Sequence, residues 1–132
     1  MRARGRKGST MVESALALTT FAILMGGIME LGFAGLAANS VTFAAQRAAR
    51  YASVRGNSSG HVATTADVQS VAQEYAAPLA PASLNVSVTW APDNHPGSTV
   101  TVRVSCTFKP SMLPVSASAL TLQSTSSQLI VQ

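Results

Sequence analysis

A chain of 132 residues with nine lysines and arginines against five acids has a net charge of +4, yet four of those cations, Arg2, Arg4, Arg6 and Lys7, stand in the first eight positions, where no acid occurs. The sequence after Gly8 holds five basic and five acidic side chains, so the excess belongs to a short head; it excludes a nucleic-acid-binding surface, which needs a basic patch interleaved with aromatics. The single cysteine, Cys106, excludes an intrachain disulfide.

Residues 1–8 read as a polar, disordered leader. The apolar run over residues 14–38 contains one charge, Glu30. As a helix rising about 1.5 Å per residue it would be about 37 Å long, enough to cross a hydrocarbon layer of ~30 Å. A secretory signal peptide also starts basic and apolar, and Gly35 and Ala37 would form its small-x-small cleavage site, releasing a secreted domain. The run is long for that role and carries a carboxylate. Packed cations ahead of the span place the N-terminus in the cytoplasm and the C-terminal part outside the membrane, against the opposing weight of Arg47, Arg50 and Arg55 beyond the distal end. Within the span, Ala22-x-x-x-Gly26 is a small-residue pair that would let a second helix approach closely. Glycine is also simply frequent in membrane helices.

A carboxylate at bilayer depth is expensive, by roughly 2.5–3.5 kcal/mol on insertion scales, and usually faces a partner. Glu13 has a plain reading as a hydrated residue at headgroup level. A sharper one starts from Gly8: if the chain is cut between Gly8 and Ser9, Glu13 becomes the fifth residue, one helical turn from the new amino group. In an assembly it would pair with the Ser9 amino group of a neighbouring subunit and fix axial register.

This order of basic leader, glycine, four residues, glutamate and apolar helix resembles the type IV prepilin class. Within it, the chain looks like the TadE-like family of the tight-adherence (Flp) pilus system. Val12-Glu13-Ser14-Ala15-Leu16 is similar to that family's Val-Glu-Phe-Ala-Leu opening, with Ser14 in place of the aromatic. Gly27-Ile28-Met29-Glu30-Leu31-Gly32 resembles its Gly-Ile-x-Glu-Phe-Gly, and Ala45-Gln46-Arg47-Ala48-Ala49-Arg50-Tyr51-Ala52 its Ala-x-x-Ala-Ala-Arg-Tyr-Ala. The resemblance implies a minor pilin or pseudopilin, cut between Gly8 and Ser9 by a membrane prepilin peptidase. It would work with other pilin subunits and the pilus assembly machinery in assembly, initiation or adhesion. A major pilin of that system is little more than the helix, and this chain is longer. The alternative without processing is a single-pass membrane-anchored binding module.

Glu30 lies 17 residues after Glu13, about 100° round the helix, and so off its stripe. Three readings of it compete: contact with a partner helix of the assembly machinery, contact with Arg47 or Arg50 of a neighbouring subunit, or a place near the outer headgroups.

Beyond Asn39 the helical pattern continues. Val41, Ala44, Ala48 and Tyr51 recur at three- and four-residue steps, with Ala45 and Ala52 widening the stripe. A single rod over residues 10–55 is predicted, capped by Gly56, with a kink allowed near Asn39 or Ser40. Thr64-x-x-Asp67 reads as a capping box opening a short helix to about Ala77, ahead of Pro78 and Pro81. Leu84, Val86, Val88 and Trp90 alternate with polar residues, as do Val100, Val102, Val104, Cys106 and Phe108. These are the two arms of a hairpin about a turn from Pro92 to Gly97. Lys109 to Pro114 is a connection, and a last strand begins near Leu120. Its apolar parity changes by Leu129 and Val131, which predicts a bulge or break. The expected architecture is α+β, pilin-like: leader 1–8, N-terminal helix 9–55 with its membrane span at 14–38, and an extracytoplasmic domain over 56–132 with one short helix and a three-stranded antiparallel sheet.

No catalytic, cofactor or metal chemistry is predicted. His61 and His95 lack paired-ligand spacing, no serine sits in a nucleophile elbow, and no glycine-rich phosphate loop follows a strand. Asp67, Glu74 and Asp93 read as solvated, and Cys106, on the apolar parity of its strand, as a buried thiol.

Overall fold

The computed structural model describes residues 6–76, 79, 83–111 and 118–131. The predicted leader positions 1–5, the helix stop at Ala77, Pro78 and Pro81, and Pro114 of the second connection lie outside them. Five elements follow in order: α1 (Arg6–Ser53), α2 (Thr65–Tyr75), β1 (Leu84–Ala91), β2 (Thr99–Phe108) and β3 (Leu120–Leu129). The fold is α+β, with a long apolar N-terminal helix, one short helix and an antiparallel sheet in the order β1-β2-β3.

α1 runs unbroken through Asn39 and Ser40. It differs from the predicted rod at both ends. It starts at Arg6, inside the expected leader, since nothing from Arg6 to Gly8 forbids a helix. It stops at Ser53 rather than at a Gly56 cap, because its last carbonyls find other partners. Arg55 N donates to Ala52 O (3.2 Å), and Val131 N, arriving from the far end of the chain, donates to Ser53 O (3.0 Å). A helix end whose orphan carbonyls are satisfied in this way needs no left-handed glycine.

The distal half of α1 lies on one face of the sheet beside α2. Its inner stripe is Val41 with Ala37, Ala44, Ala45, Ala48, Ala49 and Ala52, all buried. Alanine keeps the helix axis close to the sheet, so the larger volume comes from the other side: Val100, Val102 and Val104 of β2, Val68 of α2 and Ile130 after β3. Each such aliphatic side chain contributes about 1.5–3 kcal/mol when fully buried. Arg47 joins the two helices from outside, its guanidinium over Phe43 (4.9 Å) and Tyr75 (5.7 Å).

α2 is opened by the predicted box: Asp67 N donates to Thr64 Oγ1 (3.2 Å) and Thr64 N to Asp67 Oδ2 (3.0 Å). Thr64 Oγ1 also donates to Asp67 Oδ2 (2.7 Å), and this bond first, then the one from Thr64 N, holds the Asp67 carboxyl below the ordinary aspartate value. The hairpin has the predicted parity, pairing Leu84 with Cys106 and Trp90 with Val100. Its turn is a hub. Gly97 adopts φ +93°, a left-handed conformation natural to glycine, and its N–H donates to Ile130 O (2.9 Å). Asn57 N donates to Asn94 O (2.7 Å), tying the loop after α1 to the same turn.

β3 corrects the sequence reading. Its pairing with β2 is continuous from Thr99↔Leu129 to Phe108↔Leu120, without a bulge. Leu122, Ser124, Ser126 and Gln128 take the helix-facing side, and Ile130 continues that parity into the core. Leu129 and Val131 simply face outward. The polar inner row is tolerated because β3 is an edge strand over the polar flank of α1: Ser126 and Gln128 line a cleft with Gln46, Arg47 and Arg50, and Ser53 Oγ donates to Gln128 Oε1 (3.3 Å).

Candidate functional site

The predicted site residues all lie on α1, which divides in two. Over residues 8–29 no side chain is buried; Leu16 and Leu18 are each 69% exposed. From Glu30 onward one stripe is covered. The helix Gly8–Ser53 is long and apolar enough to cross a membrane, and only 11% of its most apolar window is buried within the chain. Residues 8–29 extend for about 33 Å at 1.5 Å per residue.

Gly8 and Ser9 sit in the first turns of α1, exposed, and a Cβ added at Gly8 would meet nothing within 4 Å. Glu13 is exposed one turn further on, so Ser9 and Glu13 stand four residues apart on one face. Ala22 is exposed and Gly26 half-buried. The helix does not bring Glu13 to Glu30, which lie about 25 Å apart along the axis.

Glu30 is 8% exposed. Ser111 N, at the start of the β2–β3 connection, donates to its Oε1 at 2.7 Å. A contact 81 residues away in sequence was in none of the three predicted readings. It makes Glu30 an anchor between the rod and the domain of its own chain. The signal was nonetheless present: Glu30 precedes Val41 by eleven residues, about 20° round the helix, and thus shares the stripe that carries the domain. Beside Glu30 opens a groove of about 360 Å³ lined by Phe33, Leu36, Ala37, Leu79, Phe108, Lys109 and Ser111.

Asp93 Oδ2 and His95 Nδ1 lie 3.0 Å apart in the hairpin turn, both side chains about half exposed. Asp93 Oδ1 also accepts from Ser98 Oγ (2.6 Å) and His95 N (3.0 Å), which lowers its pKa from the ordinary value. Asn57 Nδ2 reaches His95 Nε2 (3.1 Å). These polar residues, predicted as solvated or idle, fasten the turn. Cys106 is buried, 3.5 Å from Ser83 Oγ. Among the described residues no group of three His, Cys, Asp or Glu side chains could hold a metal ion.

The TadE-like protein family matches residues 8–50, the whole free part of α1 and most of the stripe beneath the domain. No curated protein and no solved structure matches the chain.

Proposed function

We propose that this chain, TadE-like over residues 8–50, is a minor pilin or pseudopilin of a tight-adherence (Flp) type IV pilus, with a structural rather than enzymatic role. The observation that carries the reading is the coincidence of the family match with a rod whose residues 8–29 present apolar surface to their surroundings, with Glu13 the one charge among them. A membrane aspartyl prepilin peptidase cuts between Gly8 and Ser9 on the cytoplasmic side. The rod then holds the subunit in the membrane until it is extracted into a bundle of like helices. Bundle packing replaces lipid, and the Ala22–Gly26 face admits a neighbour. Glu13 meets the Ser9 amino group of the adjacent subunit in a low-dielectric core, where an unpaired carboxylate would be costly. The α+β domain stays outside and presents the surface that other subunits meet.

The second reading is an unprocessed membrane anchor. The helical state of Gly8 and Ser9 favours it, because a cleavage site inside a helix must fray before it is cut. Gly8→Ala separates the two. In the native host a prepilin should accumulate unprocessed and pili should be lost, whereas an anchor should be indifferent. Normal processing and piliation of Gly8→Ala would reject the pilin reading.

A further inference from the structure

We infer that the outer edge of β3 is a docking site for an extended acidic segment of another protein. The segment adds to the three-stranded sheet as a further strand and sets carboxylates on Arg47 and Arg50. The inference stands on the α+β domain alone and holds for a pilin and for a fixed anchor alike. The open edge is the first argument. In an antiparallel pair, every second residue of an edge strand turns its N–H and C=O away from the sheet. Among the described residues no strand lies beyond β3, and no group outside β2 is hydrogen-bonded to its main chain. Proteins guard such an edge with charge, proline, a bulge or a cover. Leu120–Leu129 holds no charge and no proline, and its pairing with β2 has no bulge. The opposite edge is attended: Gln69 Nε2 of α2 donates to Val86 O of β1 (3.2 Å), and Pro92 follows the strand.

Burial and charge define the occupant. The inward row of β3, Leu122, Ser124, Ser126 and Gln128, is only half-buried, where Val100, Val102 and Val104 of β2 are fully covered. Between that row and the flank of α1 lies a cleft of about 460 Å³, lined by Phe43, Gln46, Arg47, Arg50, Ser126 and Gln128. A strand added about 4.8 Å beyond β3 would point alternate side chains into it. The cleft holds two guanidiniums and no carboxylate, and neither arginine makes an ion pair among the described residues. Arg47 rests on the rings of Phe43 and Tyr75, and Arg50 is exposed. An inward-facing glutamate or aspartate supplies the missing charge, and the planar fork of an arginine suits a carboxylate through two N–H bonds. A second copy of this chain is the wrong occupant. Its β3 carries no acid, and it would bring another Arg47 and Arg50 to the same seam.

The test offers the full chain, in non-ionic detergent, three strand-length peptides. One alternates threonine with glutamate, one alternates threonine with lysine, and the third is the glutamate peptide N-methylated at every residue. Affinity is read by titration calorimetry and the place of binding by hydrogen exchange. The glutamate peptide should bind and slow exchange within β3, leaving β1 unchanged. Lysine in place of glutamate, or loss of the peptide's backbone donors, should weaken binding about tenfold or more. Arg50→Ala, an exposed change, should weaken the glutamate peptide about fivefold or more, and Arg50→Glu should turn the preference to the lysine peptide. Unaltered exchange at Val102 and Val104 of β2 would confirm that both variants are folded. Several results would overturn the assignment: no binding of the glutamate peptide, equal binding of the three, protection outside β3, or an unchanged preference in folded Arg50→Glu. Equal protection of β3 by phosphatidylglycerol added to the detergent, or by a higher protein concentration without peptide, would do the same. No result depends on where the N-terminus is cut, so failure here is distinguishable from failure of the pilin reading.

Discussion

Replacing Glu30 by alanine removes the acceptor that holds the β2–β3 connection against the rod. The bond is short, at 2.7 Å, its acceptor is a carboxylate, and the residue is 8% exposed. Hydrogen bonds to charged groups contribute about 1.5–3 kcal/mol, and the loss leaves a backbone N–H to find water. Because the Ser111 amide lies in a connection rather than in the sheet, the loss should appear as local opening before it appears as global unfolding. The readout is hydrogen exchange at that amide in detergent-solubilised protein. At about 1.4 kcal/mol per factor of ten, exchange should quicken by roughly one to two orders of magnitude, while the β2 amides of Val102 and Val104 should change far less. Glu30→Gln, which retains a neutral acceptor, should fall between. Unchanged exchange at Ser111 in Glu30→Ala, with the substitution confirmed, would refute the claim that the rod anchors the domain at this point.

Two further outcomes follow from the same structure. Ala48 is fully buried under the sheet, so Ala48→Leu should overpack the α1–β2 interface and lower stability by about 1–3 kcal/mol in denaturant titration; no loss would mean that the alanine stripe does not set the helix–sheet distance. The folded-state pKa of Asp93 lies below the ordinary value of 3.8, first through Ser98 Oγ and then through His95 N. Its contribution is therefore fully present above about pH 4 and is lost as pH falls through the folded value. Thermal melts should decline below about pH 4, and Asp93→Asn should be less stable at pH 7 with a shallower acid limb; an equally steep limb would place the titration elsewhere.

The parts legible in the sequence were those written in local pattern. The rod, the Thr64–Asp67 box and the parity of Leu84–Trp90 against Val100–Cys106 each follow from spacing within one segment. β3 resisted the same reading because its inward row is Leu122, Ser124, Ser126 and Gln128: an edge strand over the polar flank of a helix keeps its alternation in space but loses it in hydropathy. The end of α1 was misplaced because Val131 N, 78 residues away, completes it. Glu30 could be recognised as a carboxylate needing a partner, and its stripe could be computed from Val41. The partner itself is a backbone amide, which carries no mark in the sequence.

The claim at the centre of this account is that the chain is a prepilin-like subunit rather than a fixed anchor. The measurement that bears on it most directly is the intact mass and N-terminal residue of the protein recovered from the membranes of its native host. The account predicts a mature chain beginning at Ser9, with Glu13 as its fifth residue. A chain still beginning at Met1 or Arg2 would contradict it.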